Sequence, residues 1–364
     1  MKKHIIPFLI LVCSLFAIQP AAADLPFYPI EFPRDEGGHF DNIPYVAPFM
    51  TEWWYFNGKV ESLRGDSLSY YVAIFEVQTP TPDGALLRRY SAHLHVTNLD
   101  EQIQIPGAAG FAPEDVSVST SDLYINYGDD FVVKRFSLPF TDKSFYVLYA
   151  TAMDYSGTFE IEIALVLHPK KEPLLMDCDG QVDMPDGGDS YYYTFTDMGT
   201  LGYIQMGDKY YPVNPKGSTS WMDHQWGDFF PVLHGWEWFS VRLDNGIDAN
   251  VFVNFLDETR EVVGGWAGFV LPDGSDRYFD LDSTFDLGRD DFYTSPLNGE
   301  TYAMHHRLVF PEIDLELNID ALFPEQDKAA WIWEGYNDVD AVFEGNSTQG
   351  FAYMELLYPQ LVSL

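Results

Sequence analysis

Short runs in which apolar and polar residues alternate recur along most of this chain, and that period of two leaves room for little except antiparallel sheet. Residues 71–77, 92–96, 159–165 and 315–319 read as strands, because alternate side chains of a strand point to opposite faces. Apolar residues rarely recur at i, i+3 and i+4 over a dozen positions, so helical signal is scarce. Asp83-Gly84, Asn245-Gly246, Asp273-Gly274 and Asn298-Gly299 supply residue pairs suited to tight hairpins. The expected class is all-β.

Two stretches repeat one order of events. Glu52-Trp53-Trp54-Tyr55-Phe56-Asn57-Gly58 precedes a Gly-Asp turn, a strand at 70–77 and a further strand at 91–96. Trp236-Glu237-Trp238-Phe239 precedes Asp244-Asn245-Gly246, a strand at 250–255 and another at 265–270. A length of 364 residues suits two domains. Pro212-Val213-Asn214-Pro215-Lys216-Gly217-Ser218 reads as the linker, giving an N-terminal unit over 24–215 and a C-terminal unit over 216–364. Each is long enough for an eight-to-ten-stranded barrel, which hides its edges and can hold one small apolar ligand.

Residues 1–23 read as a secretory signal: Met1-Lys2-Lys3 is basic, 5–18 is apolar, and Ala21-Ala22-Ala23 precedes a cleavage point. The expectation is export to the periplasm or the extracellular space. That apolar run is shorter than the roughly 20 residues a span needs, so an integral membrane protein is not expected. Lys and Arg number 20 against 56 Asp and Glu, a net charge of −36, which disfavours nucleic acid and anionic membrane surfaces. An aromatic share of 16% is too high for a disordered acidic chain. Cys178 would be the one cysteine left after export, so no internal disulfide is expected, and Asp177 and Asp179 beside it disfavour a thiolate.

Two aromatic clusters carry the candidate chemistry. In the first, an extended backbone places Glu52, Trp54 and Phe56 on one face and Trp53, Tyr55 and Asn57 on the other. Glu52 is either a pocket acid or a buried carboxylate bonded to backbone or to an indole N–H. The second is Trp221-Met222-Asp223-His224-Gln225-Trp226-Gly227-Asp228, followed by Trp236-Glu237-Trp238. Trp221, Asp223, Gln225 and Gly227 share one face of it; the cluster is either a site at a domain junction or an aromatic plug.

These motifs, with Tyr191-Tyr192-Tyr193, Trp333-Glu334-Gly335 and Gly350-Phe351-Ala352-Tyr353-Met354-Glu355, resemble the AttH-like and carotenoid 1,2-hydratase-like superfamily from about residue 45 onward. The resemblance implies two lipocalin-like antiparallel β-barrel domains in tandem and ligands drawn from isoprenoids, polyketides or other greasy molecules. In the family's hydratases an Asp protonates an alkene, and Asp223 holds the matching position in W-x-D-x-x-W-G. Residues 191–198 contain neither the His nor the Trp expected of a hydratase. Exported relatives are associated with ABC-type transport, so an envelope transporter partner is a further expectation.

The resulting expectation is a binding protein for a hydrophobic small molecule or lipid, with Trp53, Trp54, Tyr55, Tyr193, Trp221, Gln225, Trp226, Trp236, Trp238 and Trp333 as ligand contacts. The alternative is a hydratase, isomerase or cyclase using Asp223 as proton donor, with Glu52 or His224 as partner. No cofactor and no metal centre are expected. His93 and His95 share a strand face but lack an identifiable third ligand, His305-His306 points to opposite faces, and the acidic run 177–189 fits no EF-hand spacing while leaving calcium open.

Overall fold

The computed structural model describes residues 28–41, 50–81, 83–141, 143–184, 188–228, 235–255, 259–329 and 332–358; the segment 1–23 read as an export signal lies outside them. The described residues form two antiparallel sheets of 14 and 10 strands, curled into barrel-like domains. The hairpin glycines expected from sequence, Gly84, Gly246, Gly274 and Gly299, all take positive φ. Among the described residues no helix is long and apolar enough to cross a membrane.

The two sheets are wound alike. In the first, Met50–Glu61 pairs on one side with Ser67–Pro80 and on the other with Thr219–Gly227, so the first and last long strands are neighbours. In the second, Gly235–Leu243 lies in the same way between Asp248–Phe255 and Asn346–Leu357. Glu52 and Glu237 hold equivalent places, opposite Trp226 and Leu356 of the adjoining last strands. A bridge between Gly107 and Asp154 draws the far strands of the first sheet together.

Alternation assigns the faces. Trp54, Phe56, Tyr191, Tyr193, Met222 and Trp226 point into the core of the first sheet, and Phe239, Val241, Trp333, Met354 and Leu356 into that of the second. Each large apolar side chain so buried contributes about 1.5–3 kcal/mol before conformational entropy is counted. The opposite faces meet: Tyr55, Tyr71 and Trp221 of the first sheet pack with Trp238 and Tyr353 of the second. Arg242 donates to Asp197 at 2.8 Å and Lys171 to the buried Asp248 at 2.7 Å, tying the sheets beside that cluster.

The division expected at 215/216 lies ahead of the strand that completes the first sheet. Residues 212–218 form a turn, with Gly217 N–H on the Asn214 carbonyl and Ser218 bonded to Glu61, and Thr219–Gly227 then pairs with Met50–Glu61 and with Asp189–Met206. The chain changes sheet after Gly227.

Candidate functional site between the two sheets

Asp223 sits mid-strand opposite Tyr55 on one side and Thr194 on the other, and its side chain faces the second sheet. Trp221 Nε1–H donates to Asp223 Oδ1 at 2.8 Å. The Tyr192 hydroxyl accepts from Asn250 Nδ2 at 2.7 Å and from Trp238 Nε1 at 3.2 Å, which leaves its own proton for the carboxyl of Asp223. Burial pushes the Asp223 pKa up to about 7, against the pull of the bonds from Thr194, Trp221 and Tyr192. Such a carboxyl keeps its proton well above the ordinary carboxylate range, in an aromatic setting.

Two further carboxyls share the space. Glu334 and Glu355 are direct partners across adjacent strands, and Glu355 is in turn opposite Trp238. Tyr55 O–H donates to Glu334 Oε1 at 2.7 Å and Trp236 Nε1–H to Glu355 Oε1 at 2.5 Å. Burial, and then the proximity of Glu355, holds Glu334 well above the ordinary carboxylate range; burial and the nearby Asp223 raise Glu355. Facing each other across adjacent strands, the two glutamates titrate as an interacting pair.

Trp53, Phe75, His93, Trp236 and Glu355 on these facing surfaces keep part of their area accessible, whereas Tyr55, Tyr71, Trp221, Trp238 and Tyr353 are buried behind them. The first group packs against the second, so the facing surfaces form a largely buried aromatic layer with a partly accessible margin, and Asp223 is buried within it. Although part of its surface stays accessible, the His93 ring is desolvated enough that its pKa falls to about 4. The buried His95 bonds Tyr71 through Nε2 at 2.9 Å and stacks beside His93 on the same strand face.

The remaining sequence candidates lie elsewhere. Glu52, Trp54, Tyr193, His224 and Trp226 point into the interior of the first sheet, away from Asp223, because they sit one residue out of phase with it. The expected partnership of Asp223 with Glu52 or His224 is thus corrected: the sheet itself separates them. Trp333 belongs to the core of the second sheet, its Nε1–H on the Pro324 carbonyl at 2.7 Å. Gln225 faces the second sheet but donates to Ser190 Oγ at 2.8 Å.

Inside the first sheet, the segment 28–41 lies against the strand ends. His39 Nδ1 is 2.7 Å from Glu52 Oε1, and His224 Nε2 is 2.9 Å from the same oxygen. Although burial opposes it, Glu52 and Asp35 raise the His39 pKa; burial lowers that of His224 to about 4. The equivalent Glu237 binds Arg289 Nε at 2.8 Å and Tyr358 O–H at 2.8 Å.

Sequence reasoning missed Glu334, Glu355, Tyr192 and His39 as site residues. A usable signal was present for Glu355, the one charge in Asn346–Leu357, whereas Glu334 shares Ile332–Phe343 with Asp338 and Asp340. The described part of the acidic run is a short turn at Met176–Cys178 and a strand, Gln181–Asp183, paired with Asp189–Met206; Asp177, Asp179 and Asp183 are exposed and Asp189 is buried, while 185–187 lie outside the described residues. Exposed Cys178 is raised by burial and then by its acidic neighbours, against a nucleophilic role.

Comparison with known proteins bears on this geometry. A family model described as AttH-like matches residues 24–357. A crystal structure of a candidate AttH from Nitrosomonas europaea superposes with a TM-score of 0.72 at 23% identity, covering 92% of this chain and 99% of that one. Kievitone hydratase from Nectria haematococca superposes at 0.61 with 12% identity, over 88% of this chain and 95% of its own. CghA, solved with Sch210972, superposes at 0.53 with 11% identity over 94% and 95%. At these identities the superpositions show the fold. In sequence, the dehydratase asqC of Emericella nidulans is 21% identical over 220 residues, 58% of this chain; the chain thus spans about three fifths, 62%, of that relative.

Proposed function

The chain belongs to the AttH-like family, and from that premise we propose that it performs acid-assisted addition or removal of water, or a related isomerisation or cyclisation, on an apolar unsaturated small molecule held between its two sheets. The observation that carries this reading is Asp223: a buried carboxyl raised to about 7, held by Trp221 and Tyr192 on the face between the sheets, near the paired carboxyls of Glu334 and Glu355. Relatives named as a hydratase and a dehydratase support the reaction class.

In the hydration direction the Asp223 O–H gives its proton to an alkene carbon. The cation so formed lies against indole and phenol faces, whose negative quadrupoles stabilise it. Water adds through oxygen, and the oxonium proton passes to the Asp223 carboxylate or to the Glu334–Glu355 pair, which restores neutrality. Dehydration runs the same steps backwards, with the protonated carboxyl assisting the departing hydroxyl. Expulsion of bulk water by the aromatic lining strengthens each of these charge interactions.

Incubation with a panel of prenylated, terpenoid and polyketide alkenes and alcohols in ¹⁸O-water and deuterium oxide tests the proposal. Incorporation of one oxygen or one deuterium, lost in Asp223→Asn, is the expected result. Tight quenching of tryptophan fluorescence by such compounds with no turnover would leave the passive-binding reading of the same face and refute the chemistry.

A further inference from the structure

We infer that His39, Glu52 and His224 form a binding site for a first-row transition-metal dication of the zinc type, buried inside the first sheet and independent of the chemistry between the sheets. His39 Nδ1 and His224 Nε2 approach one carboxylate oxygen of Glu52, at 2.7 and 2.9 Å, from two different chain segments. The donor atoms of all three residues lie within 4.8 Å of one another. Two imidazoles and a carboxylate are the ligand set that suits zinc, cobalt or nickel; the absence of sulfur disfavours copper(I), and the imidazoles disfavour magnesium and calcium.

The outer nitrogens are already occupied in the manner of metal-bound histidines. His39 Nε2 lies 3.4 Å from Asp35 Oδ1, and His224 Nδ1 lies 3.3 Å from the Tyr193 hydroxyl. A carboxylate or hydroxyl at the far nitrogen fixes the tautomer that leaves the near nitrogen's lone pair for the metal. Rings are held too: His39 stacks on Trp226 at 3.9 Å and 2°, and His224 on Trp54 at 4.7 Å. Tetrahedral ligands about 2.0–2.1 Å from zinc stand about 3.3 Å apart. The observed contacts are shorter by about half an ångström on that scale, a spread the side chains gain once the bridging protons leave. The ligands are at most 1% exposed, so the site would act on structure. His39 precedes the barrel strands and Glu52 and His224 lie on them, so a bound ion would rivet 28–41 to the sheet.

The full chain, stripped with chelator and titrated with cobalt(II) and then zinc(II), should take up one equivalent. Cobalt should give the visible bands of a four- or five-coordinate N/O site, zinc should raise the melting temperature, and 28–41 should become resistant to protease. Glu52→Gln and His39→Gln should abolish stoichiometric uptake, Asp35→Asn should weaken it about 10- to 100-fold, and His305→Ala, at the exposed His305–Asp320 pair, should leave it unchanged. X-ray absorption of the loaded wild type, needing no variant, should show two imidazoles and an oxygen. Failure of the wild type to bind one equivalent, a different ligand set, or unchanged binding in a folded Glu52→Gln would overturn the site and leave a hydrogen-bonded clamp.

Discussion

Asp223 and His224 are adjacent in the chain and serve opposite sides of one strand. Asp223 faces the second sheet, bonded to Trp221, while His224 faces the interior of the first, bonded to Glu52. A single motif therefore feeds two separate polar centres, and substitutions one residue apart should report on different properties.

Replacing Asp223 by Asn should change how stability depends on pH. Burial raises this carboxyl from 3.8 to about 7. A raised carboxyl binds its proton more tightly folded than unfolded, so its contribution is fully present below about pH 4 and declines as pH rises to 7. The loss across that window is up to about 4 kcal/mol. Asp223→Asn should flatten that decline and match or exceed the wild type above pH 7. Urea midpoints at pH 4, 5.5 and 7.5 would show it; a parallel decline in the variant would contradict the assignment.

Trp226 and Trp236 should separate core from margin. Trp226 is fully buried, stacked on His39 and donating from Nε1–H to the Tyr28 hydroxyl at 2.8 Å. Trp226→Ala should cost about 3–5 kcal/mol, as large-to-small core changes do. Trp236 is partly accessible, so Trp236→Phe should cost less than about 1.5 kcal/mol. It should also raise Glu355 further, because the indole donor at 2.5 Å holds that carboxyl down. Denaturant melts and ¹³C titration of labelled glutamate carboxyls measure both.

Sequence period gave the sheets, the hairpin turns and the repeated winding, because face alternation and positive-φ glycines are local properties. It also placed Trp53, Tyr55, Trp221 and Asp223 on compatible faces. What it could not give was which face of each sheet becomes interior. Glu52 and Asp223 both read as acids among indoles, yet only the register of Met50–Glu61 on Thr219–Gly227 sends them to opposite sides. Glu334 and Glu355 stood in quoted motifs, and their pairing needed strands far from Asp223 in sequence. The linker reading failed because proline and glycine mark a turn as readily as a boundary.

Gly227 should tolerate no side chain. A Cβ there would lie 2.1 Å from the Asp189 carbonyl oxygen and 2.8 Å from Ser190 Cα, both backbone atoms of the paired strand. Since those atoms cannot rotate away, Gly227→Ala must spread the sheet next to Trp226, at a cost of about 1–3 kcal/mol or more. Amide hydrogen exchange should quicken in Asp189–Met206 and Thr219–Gly227, with the second sheet unchanged; a variant as stable as wild type would sink this account.

Arg289 should matter more than any exposed cation. Burial alone would raise Glu237, but His306 and Arg289 hold its pKa down to about 2. Arg289→Met leaves that carboxylate buried with one charged partner fewer, and breaking a buried pair in this way costs about 3–5 kcal/mol. The sign in pH follows from the lowered value: the pair's contribution is present above the unfolded carboxyl pKa, near 4.3, and is lost as pH falls toward 2. The variant should therefore be less stable than the wild type at pH 7 and lose less on acidification. Removing exposed Lys209, whose bridge to Glu101 spans 3.0 Å at the surface and is screened by water, should cost far less. Equal losses from the two substitutions, read from denaturant midpoints at pH 7 and pH 3, would show that the Glu237 centre is not the buried ion cluster its distances describe.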